Sequence, residues 1–366
     1  MIGRDFWRGR RVLITGHAGF KGSWLTLWLQ RLGAEVTGMG GQSAAQPAPE
    51  SLFAQARVAD GVAASLDGDV RNPADVDAAL RRARAEVVFH LAAVASFQRS
   101  LREPVDTYAT NVMGTVHVLD AIRRLGDDVR AVITVSSDKC YVNREWEWPY
   151  REDEPLGGRD PYASSKACQE LVTAAFRDSL YSGPDIRVAT VRAGNVVGGG
   201  DFTPHRLIPD LVRAAQAGEP LHVRAPEAVR PWQHVLNPLQ GYLLLAEALC
   251  GDHGRRVATA WNFGPADVDR RPVRWIVEYL NARWPGGIDV RFGTGDDDET
   301  GIMRLDSSRA RARLGWAPPW NLAAGLDATV DWYVRRNDGE DARGLCEEQI
   351  DAHAGASRER SRREAL

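Results

Sequence analysis

The chain has 366 residues, which is enough for one large domain or for two lobes that share an interface. Apolar residues make up 44% and charged residues 26%, as in globular proteins with a sizeable core, and the net charge of −3 argues against nucleic-acid binding and membrane-surface attraction. The four cysteines lie far apart without a CxxC pair, which argues against a disulfide framework or structural zinc and fits a reducing compartment.

The first apolar run, residues 12–15, is too short for the core of a signal peptide or for a membrane span, and no later segment is long and apolar enough to cross a membrane. The histidines show no spacing typical of metal ligands. We therefore expect a cytoplasmic protein without a resident metal and without a membrane or nucleic-acid partner.

Strand-like and helix-like runs alternate over the first half of the chain. Short apolar runs typical of buried strands lie at 10–15, 34–39, 86–90, 130–135 and 186–191. Runs with apolar residues at helical spacing lie between them at 22–32, 73–84, 105–125 and 162–180, and Gly33 is placed to end the first helix. The alternation predicts an α/β fold, a doubly wound parallel sheet of the Rossmann type with helices on both faces.

From about residue 198 the alternation gives way to prolines, loops and shorter helices, which are predicted at 207–217, 237–249, 272–284 and 307–314. We interpret this part as a smaller C-terminal substrate lobe. The predicted division is 1–195 for a dinucleotide-binding domain completed by part of 235–262, and 196–340 for the interleaved smaller lobe. Residues 341–366, which are rich in small and charged residues toward the end, are predicted to form a flexible tail.

A glycine-spaced turn, Gly16-His-Ala-Gly19-Phe-Lys-Gly22, follows the first strand and opens the first helix. Glycines at these positions permit a tight turn and let backbone N–H groups and the helix N-terminus approach a pyrophosphate. The alternative is a glycine-rich turn that binds nothing. The second strand ends with residues 39–42 (Met-Gly-Gly-Gln), which include neither an acid for the adenosine ribose nor an arginine, so the residues alone leave NAD or NADP open.

Tyr162 and Lys166 are four residues apart at the start of a predicted helix, so both side chains share one helix face. An ammonium beside a phenol favours the phenolate, and we therefore expect a tyrosine whose pKa lies below its usual ~10 and which acts as a base near neutral pH. The alternative is an unrelated surface pair. The glycine turn in the same chain favours the catalytic interpretation.

Residues 136–139 (Ser-Ser-Asp-Lys) follow the strand at 130–135. Ligands of open α/β sheets bind beyond the carboxyl ends of the strands, so these side chains are predicted to lie where the chemistry occurs. Ser137 is placed to hydrogen-bond a substrate oxygen beside Tyr162, and Asp138 and Lys139 offer an acid and an amine side by side. The alternative is a polar turn with a solvated charge pair. Arginine forks suit phosphate oxygens, and the candidates are Arg192, Arg206, Arg230 and Arg304.

With these residues in place, the chain resembles the extended short-chain dehydrogenases/reductases and, among them, the CDP-glucose 4,6-dehydratases. The resemblance covers roughly residues 10–335. The SDK run is its sharpest mark, because the related dTDP-glucose dehydratases carry an acidic residue where Lys139 stands. The segments that carry the resemblance are TGHAGFKGSWLTLWLQ, HLAA, REPVDTYATNVMGTVHVL, SSDKCYVNREW, DPYASSK, RAGNVVGGGD and RPWQHVLNPLQGYLLLAE.

The resemblance implies an NAD-dependent lyase that recycles its cofactor. Tyr162 would take the sugar C4 hydroxyl proton while hydride leaves C4, with Ser137 bonded to the same oxygen and Lys166 holding the tyrosine ionised. Lys139, or Asp138 with it, would then remove the C5 proton as Asp138 helps the C6 hydroxyl leave as water. Hydride would return to C6 and give CDP-4-keto-6-deoxyglucose, a precursor in deoxysugar and O-antigen biosynthesis.

The resemblance also implies roles in binding. The cofactor would be held by the glycine turn and by residues along the sheet edge, namely Gly16, Gly19, Phe20, Gly22, Asp69, Val70, Leu91, Ala92, Ala93, Thr110, Tyr162 and Lys166. The nucleotide sugar would meet Ser137, Asn195, Arg206, Arg230 and Arg304. The helices at 105–125 and 162–180 would form the four-helix interface of a homodimer.

The segment after HLAA departs from the family pattern, since it continues with Val94-Ala-Ser-Phe-Gln98 in place of a Gln-Pro-Leu-Val run. Because that segment borders the sugar site in relatives, a GDP- or UDP-sugar epimerase or dehydratase of the same fold is the second hypothesis. A non-catalytic dinucleotide-binding protein is the third. It is disfavoured because such proteins typically lose the tyrosine–lysine pair, which is present here.

Overall fold

The computed structural model describes residues 2–41, 45–181, 186–293 and 301–364, without the side chains of 361–364. Its centre is a sheet of seven parallel strands in the order β3-β2-β1-β4-β5-β6-β11. This confirms the predicted doubly wound parallel sheet. The sheet strands are β1 (Arg11–Thr15), β2 (Glu35–Gly40), β3 (Ala64–Asp67), β4 (Val87–His90), β5 (Ala131–Val135), β6 (Arg187–Arg192) and β11 (Ala260–Asn262).

The central strands are largely apolar because helices cover both faces of the sheet. Every residue of β4 and β5 is buried, which is why these strands read as continuous apolar runs without alternation. The helices of the first half are α1 (Arg4–Trp7), α2 (Phe20–Leu32), α3 (Leu52–Gln55), α4 (Pro73–Ala83), α5 (Phe97–Arg102), α6 (Pro104–Tyr108), α7 (Gly114–Leu125) and α8 (Pro161–Ala175). Gly33 ends α2 in the left-handed conformation, as predicted.

The helix predicted at 105–125 is interrupted. A π-helical turn, Ala109–Met113, separates α6 from α7, and a second one, Phe176–Leu180, follows α8. The first turn places Asn111 against the segment after β4, where its side chain accepts a hydrogen bond from Val94 N at 2.8 Å and donates to Ser165 Oγ at 2.9 Å. Helical periodicity in the sequence does not reveal such an extra residue in a turn, and π turns are frequent at functional sites.

The remaining elements are short strands in two-stranded sheets and further helices. The strands are β7 (Val196–Val197), β8 (Leu221–Val223), β9 (Val229–Arg230), β10 (Gln233–His234), β12 (Arg271–Pro272) and β13 (Val290–Phe292). The helices are α9 (Leu207–Ala217), α10 (Leu236–Cys250), α11 (Gly254–Val257), α12 (Val273–Asn281), α13 (Ser308–Leu314), α14 (Leu322–Asn337) and α15 (Ala342–Glu364).

We propose the division into lobes that the sequence suggested, with the small sheets and helices α9 and α12 in the second lobe. Helix α10 packs on β5 and β6, and β11 extends the main sheet beside β6, so both add to the first lobe although they follow part of the second in the chain. The chain therefore passes from the first lobe to the second and back again, so the lobes are interleaved, and a cleft lies between them.

The flexible tail predicted for 341–366 is wrong, because residues Ala342–Glu364 form helix α15. Leu345, Cys346, Ile350 and His353 are buried, and they recur at helical spacing. The Gln349 side chain donates a hydrogen bond to the carbonyl of Ala328 at 2.7 Å. The high average charge of this segment hid a narrow apolar stripe that packs on α2 and α14.

Candidate active site

A cavity of about 1150 Å³ opens at the carboxyl ends of the sheet strands, between the sheet edge and the second lobe. Its walls include the glycine turn, the ends of β4, β5 and β6, the start of α8, the loop 193–206 and strand β8 with the residues after it. All five predicted catalytic residues and all twelve predicted cofactor-binding residues line this one space. The sequence motifs, which are far apart in the chain, therefore meet in a single cavity.

The glycine turn is packed too tightly for side chains at two of its three glycines. Gly16 has φ +77°, and a Cβ there would lie 2.7 Å from Ala92 N, while a Cβ on Gly22 would lie 2.1 Å from Gly16 O. At Gly19 the nearest protein atom to such a Cβ, Gly16 O, is 3.4 Å away, so a side chain there would make only ordinary contact with the protein, and Gly19 lines the cavity. Gly19 is also the N-cap of α2 and supplies no side-chain cap, which leaves the helix N-terminus open to an anion.

The end of the cavity near β2 and β3 carries no acid at the tip of β2. His17 occupies that region: its ring lies where a Cβ on Gly38 would be, and its Nε2 is 2.8 Å from Ser65 Oγ. Asp69 and Val70 follow β3 and line the cavity, and the Asp69 carboxylate is bound by Arg71. Gln42, which the sequence analysis used to compare NAD with NADP, lies outside the described residues.

The predicted cofactor residues after β4 are held by backbone contacts with β1. Leu91 N donates to Thr15 O at 3.0 Å, and Ala92 N lies 3.3 Å from Thr15 Oγ1. Leu91, Ala92 and Ala93 line the cavity together with Thr110, which the π turn presents from the opposite side. Small and apolar side chains at this point leave room for a flat ring.

Helix α8 begins where the capping residues predict. The Asp160 side chain accepts a hydrogen bond from Ala163 N at 2.9 Å and Pro161 occupies the first turn, so Tyr162 lies at the mouth of the helix. Lys166, one turn later, is 3% exposed, and its ammonium donates to Val135 O at 3.2 Å and to Gln169 Oε1 at 3.0 Å. Burial, followed by the charge of Lys21, lowers the pKa of Lys166 to about 7.

The lowered tyrosine pKa expected from the sequence is not what the structure gives. Burial raises the pKa of Tyr162 above its usual value, the hydrogen bond with Ser137 opposes that rise, and the charge of Asp138 adds to it. The phenol is desolvated, and its principal polar neighbour is a hydroxyl and not the Lys166 amine, whose hydrogen bonds go to the backbone and to Gln169. Spacing along a helix predicts a shared face but does not predict desolvation.

The loop after β5 forms a single 3₁₀ turn, Asp138–Cys140, with Ser137 as its cap. The Ser137 hydroxyl donates to Asp138 Oδ1 at 3.0 Å and accepts from Lys139 N at 3.2 Å. Asp138 is 2% exposed, and Oδ2 of its carboxyl has no hydrogen-bond partner among the described residues. Burial raises the pKa of this carboxyl, although the charge of Lys139 opposes the rise. Burial therefore makes this carboxyl easier to protonate than an exposed aspartate, and the Lys139 amine follows it in the chain.

Three of the four predicted substrate-binding residues beyond Ser137 line the cavity, namely Asn195, Arg206 and Arg230. Arg206 pairs with Asp201 at 3.1 Å, and Arg230 Nη1 donates to the carbonyls of Val229 and Gly301, both at 3.1 Å.

The predicted role of Arg304 in substrate binding stays a prediction, although this residue is absent from the cavity lining among the described residues. Arg304 Nη1 donates to Glu147 O at 2.8 Å, so the guanidinium is turned toward the loop 143–150. An arginine count along the sequence cannot show which way a guanidinium faces. The sequence analysis also singled out Arg192, which pairs with Glu170 behind the site.

The sequence analysis missed Lys21, although it lies inside the glycine turn that was singled out. The chain contains three lysines, Lys21, Lys139 and Lys166, and all of them line the cavity, while the other basic side chains are arginines and histidines. Burial, followed by the charge of Arg206, lowers the pKa of Lys21 to about 8. The concentration of lysines in three motifs was the available signal, since lysine is the basic side chain that burial most readily deprotonates.

Other features of the described residues set limits on the site. No group of histidine, cysteine, aspartate and glutamate side chains within the described part is arranged to hold a metal ion. No helix among these residues has the length and apolar character needed to cross a membrane.

Comparison with known proteins agrees with this geometry. The model of the NAD dependent epimerase/dehydratase family matches residues 12–260. A CDP-glucose 4,6-dehydratase of Salmonella typhimurium is 43% identical over 349 residues, which cover 93% of this chain and 95% of that protein. The chain belongs to the NAD dependent epimerase/dehydratase family. A dTDP-glucose 4,6-dehydratase of Streptomyces griseus is 35% identical over 263 residues, covering 70% of this chain and 75% of that protein.

Solved structures of family members share the fold. An epimerase of Methanothermobacter thermautotrophicus superposes with a TM-score of 0.78 at 23% identity, over 92% of this chain and 95% of that one. A UDP-glucose 4-epimerase of Stenotrophomonas maltophila, solved with bound NAD, gives a TM-score of 0.77 at 22% identity over 90% of this chain and all of that one. At such identities the match concerns the fold alone. Family membership confirms the resemblance found in the sequence and the expected dependence on NAD.

Proposed function

We propose that this protein is a CDP-glucose 4,6-dehydratase that uses NAD and forms CDP-4-keto-6-deoxyglucose and water. The observation that carries the proposal is the 43% identity to such an enzyme over nearly the whole length of both chains. It is supported by the single cavity that collects Ser137, Asp138, Lys139, Tyr162 and Lys166.

The residues of the glycine turn fit a dinucleotide. The space in front of Gly19 would be filled by a Cβ, and the uncapped N-terminus of α2 points into it, as a pyrophosphate site requires. Gly16, Phe20 and Gly22 would complete the cradle, with Asp69 and Val70 at the adenosine end and Leu91, Ala92, Ala93 and Thr110 along the channel to the nicotinamide. When bound, NAD supplies the acceptor and later the donor of one hydride, and the positive charge of its oxidised ring.

The first step that we propose is proton removal from the sugar C4 hydroxyl by the Tyr162 phenolate. Because burial raises the pKa of Tyr162, the phenolate requires positive charge nearby, which Lys166 in its ammonium form provides. Ser137 hydrogen-bonds the same C4 oxygen as it becomes a ketone. The ketone in turn acidifies the proton on C5.

The second step that we propose is loss of water across C5 and C6. Asp138 acts as the acid that protonates the departing C6 oxygen, and burial, which raises the pKa of its carboxyl, makes this group easier to protonate. Lys139 in its neutral form takes the C5 proton and returns it when C6 accepts hydride. The proton that Tyr162 gained from the C4 hydroxyl replaces the one that Asp138 lost to the C6 oxygen. The protein therefore ends the cycle with the same number of bound protons as at the start.

The pyrophosphate of the substrate is expected at the arginines on the second-lobe side of the cavity. We propose that Arg206 and Arg230 bind its oxygens and that Asn195 hydrogen-bonds the same groups. Arg230 is 5% exposed and already anchored on two carbonyls, so its guanidinium is held in place before the substrate arrives.

We also propose that the protein is a homodimer in the cytoplasm. Large apolar side chains are exposed along α6, the π turn and α8: Val105 is 81%, Met113 46% and Leu171 59% exposed. Exposed apolar residues on adjacent helices are typical of a subunit interface. The four cysteines are free thiols, as expected in a reducing compartment.

The experiment is to incubate the purified protein with NAD and, separately, with the CDP, dTDP, GDP and UDP esters of glucose. We expect a 4-keto-6-deoxy product from CDP-glucose, detected by its absorbance in alkali and by the C6 methyl signal in its NMR spectrum. Absence of a product from every nucleotide glucose would overturn the proposal. Preferential turnover of a GDP or UDP sugar would favour the second hypothesis, which the unusual segment Val94–Gln98 suggested; residues 94–96 of that segment line the cavity.

A further inference from the structure

A buried ion pair lies directly behind the proposed catalytic residues. Glu170 is on α8, one turn after Lys166, and Arg192 ends β6; both side chains are 3% exposed, and Arg192 Nη2 is 2.8 Å from Glu170 Oε2. Glu170 also accepts hydrogen bonds from Ser136 Oγ and, at 2.6 Å, from Thr190 Oγ1. Burial alone would raise the pKa of Glu170, but Arg192 and these hydroxyls lower it on balance, so the carboxylate is ionised.

The pair connects the elements that carry the catalytic groups. Ser136 immediately precedes Ser137 and Asp138 at the end of β5, so its bond to Glu170 ties the catalytic loop to α8. Arg192 Nη1 donates to Tyr141 Oη at 2.8 Å and to Glu152 O at 2.9 Å, and the Tyr141 hydroxyl donates to Asn262 in β11 at 2.8 Å. One chain of polar contacts therefore joins α8, β5, β6 and β11.

Within the described part of the chain, the hydrogen-bond acceptors of the Lys166 ammonium are both neutral, namely Val135 O and Gln169 Oε1. The titratable groups that interact with it come from several elements: Lys21 at the start of α2, His90 in β4, Cys140 after β5, and Glu170 on its own helix. Burial and Lys21 favour the neutral amine, whereas Glu170 is the carboxylate whose charge favours the ammonium. Nothing else among the described residues is identified as an ionised acid acting on Lys166.

We propose that the Glu170–Arg192 pair is a positioning element for this reaction, which fixes α8 against the strand ends and favours the ammonium form of Lys166. The inference rests on the proposed function, because it concerns the amine that stabilises the Tyr162 phenolate. Arg192 keeps Glu170 ionised, and the charge of Glu170 in turn raises the fraction of Lys166 that is in the ammonium form. Buried ion pairs seldom stabilise a fold more than apolar side chains of the same volume, so a pair held here by five hydrogen bonds points to a role in the site.

The test uses the fact that the chain has three lysines. In NAD-saturated protein labelled with ¹³C at the lysine Cε, three NMR signals report the three amines, and Lys139→Arg and Lys21→Arg assign them by difference. We expect Glu170→Gln to lower the pKa of Lys166 by about one unit, the usual effect of losing a nearby opposite charge. The alkaline limb of kcat against pH should move down by the same amount, and kcat at pH 8 should fall by about tenfold because the ammonium fraction falls by that factor.

Two further variants separate charge from packing. Glu170→Asp keeps the charge but shortens the side chain. We therefore expect a lower kcat, while the pKa of Lys166 and the position of the alkaline limb stay as in the wild type. Glu247→Gln is the control for loss of a partly buried, hydrogen-bonded carboxylate elsewhere, since Glu247 accepts hydrogen bonds from Gly3 N and Trp7 Nε1 far from the site, and it should leave both readouts unchanged.

Unchanged titration of Lys166 in Glu170→Gln, or the same displacement in Glu170→Asp, would overturn the proposal. The NMR titration needs no turnover and decides the matter even if the wild type shows no dehydratase activity. Failure of the proposed function is therefore distinguishable from failure of this inference.

Discussion

Alanine at Gly22 and at Gly19 should affect stability and cofactor binding in different ways. A Cβ on Gly22 would lie 2.1 Å from Gly16 O and 2.8 Å from His17 Cα, which are backbone atoms of the same turn. Since the turn must open by more than about 1 Å to relieve these contacts, we expect Gly22→Ala to lose about 2–3 kcal/mol of unfolding free energy. If the same strain is relieved by moving the donors of the cradle, the NAD dissociation constant should rise by about 30- to 150-fold.

Gly19→Ala is the matched control in the same turn. Gly19 has φ −75° and ψ 166°, which alanine adopts without strain, and its Cβ would be 3.4 Å from the nearest protein atom. We therefore expect unfolding free energy within about 0.5 kcal/mol of the wild type. The new methyl group should nevertheless occupy the pyrophosphate space and weaken NAD binding by at least about tenfold.

The assay combines urea unfolding of the protein without NAD and calorimetric titration with NAD. Wild-type stability for Gly22→Ala would refute the packing argument. Wild-type NAD affinity for Gly19→Ala would refute the assignment of the space in front of Gly19 to the cofactor.

Three more predictions follow from buried or exposed side chains. Burial lowers the pKa of His90 and of His234 to about 3, so both side chains stay neutral in the folded protein. In urea unfolding, the free energy of unfolding should be highest above pH 6.5 and should fall by about 1.4 kcal/mol per histidine for each pH unit below 6.5. A free energy of unfolding that stays constant down to about pH 5 would contradict this prediction. The Asp138→Asn variant, whose amide has the shape of a neutral carboxyl, should still oxidise C4, which a single turnover shows as absorbance at about 340 nm. Loss of water should be slower by about 10²–10⁴-fold, because the amide cannot donate the proton. Product formation at the wild-type rate would show that Asp138 is not the acid. Leu171→Asp should convert the proposed dimer to a monomer in light scattering, whereas a dimer of unchanged affinity would place the interface elsewhere.

The central strands of the sheet were predictable because they are largely apolar and fully buried. Residues 130–135, for example, were predicted as a strand, and the structure has Ala131–Val135, since a buried parallel strand needs apolar side chains on both faces. The prediction of a flexible tail was wrong because the helix there shows little apolar character in the sequence. In Ala342–Glu364 the apolar stripe is narrow, and the buried His353 and Gln349 read as polar, so only packing against α14 reveals the helix.

The site was predictable where one motif defines the local backbone. The glycine turn and the Asp160-capped helix of Tyr162 constrain their own conformation, so spacing sufficed. The raised pKa of Tyr162 and the Glu170–Arg192 pair depend on desolvation and on partners far along the chain, which no local pattern reports. The orientation of the Arg304 guanidinium likewise depends on a distant partner, the carbonyl of Glu147 in the loop 143–150.

The most direct test of the central claim follows one hydrogen atom. CDP-glucose labelled with deuterium at C4 is incubated with the protein and unlabelled NAD, and the product is analysed by mass spectrometry and NMR. If oxidation at C4, loss of water and reduction at C6 occur in one cavity beside Tyr162, the deuterium should appear at C6 of the same sugar molecule. Deuterium retained at C4, or released into the solvent or into free NADH, would contradict the account.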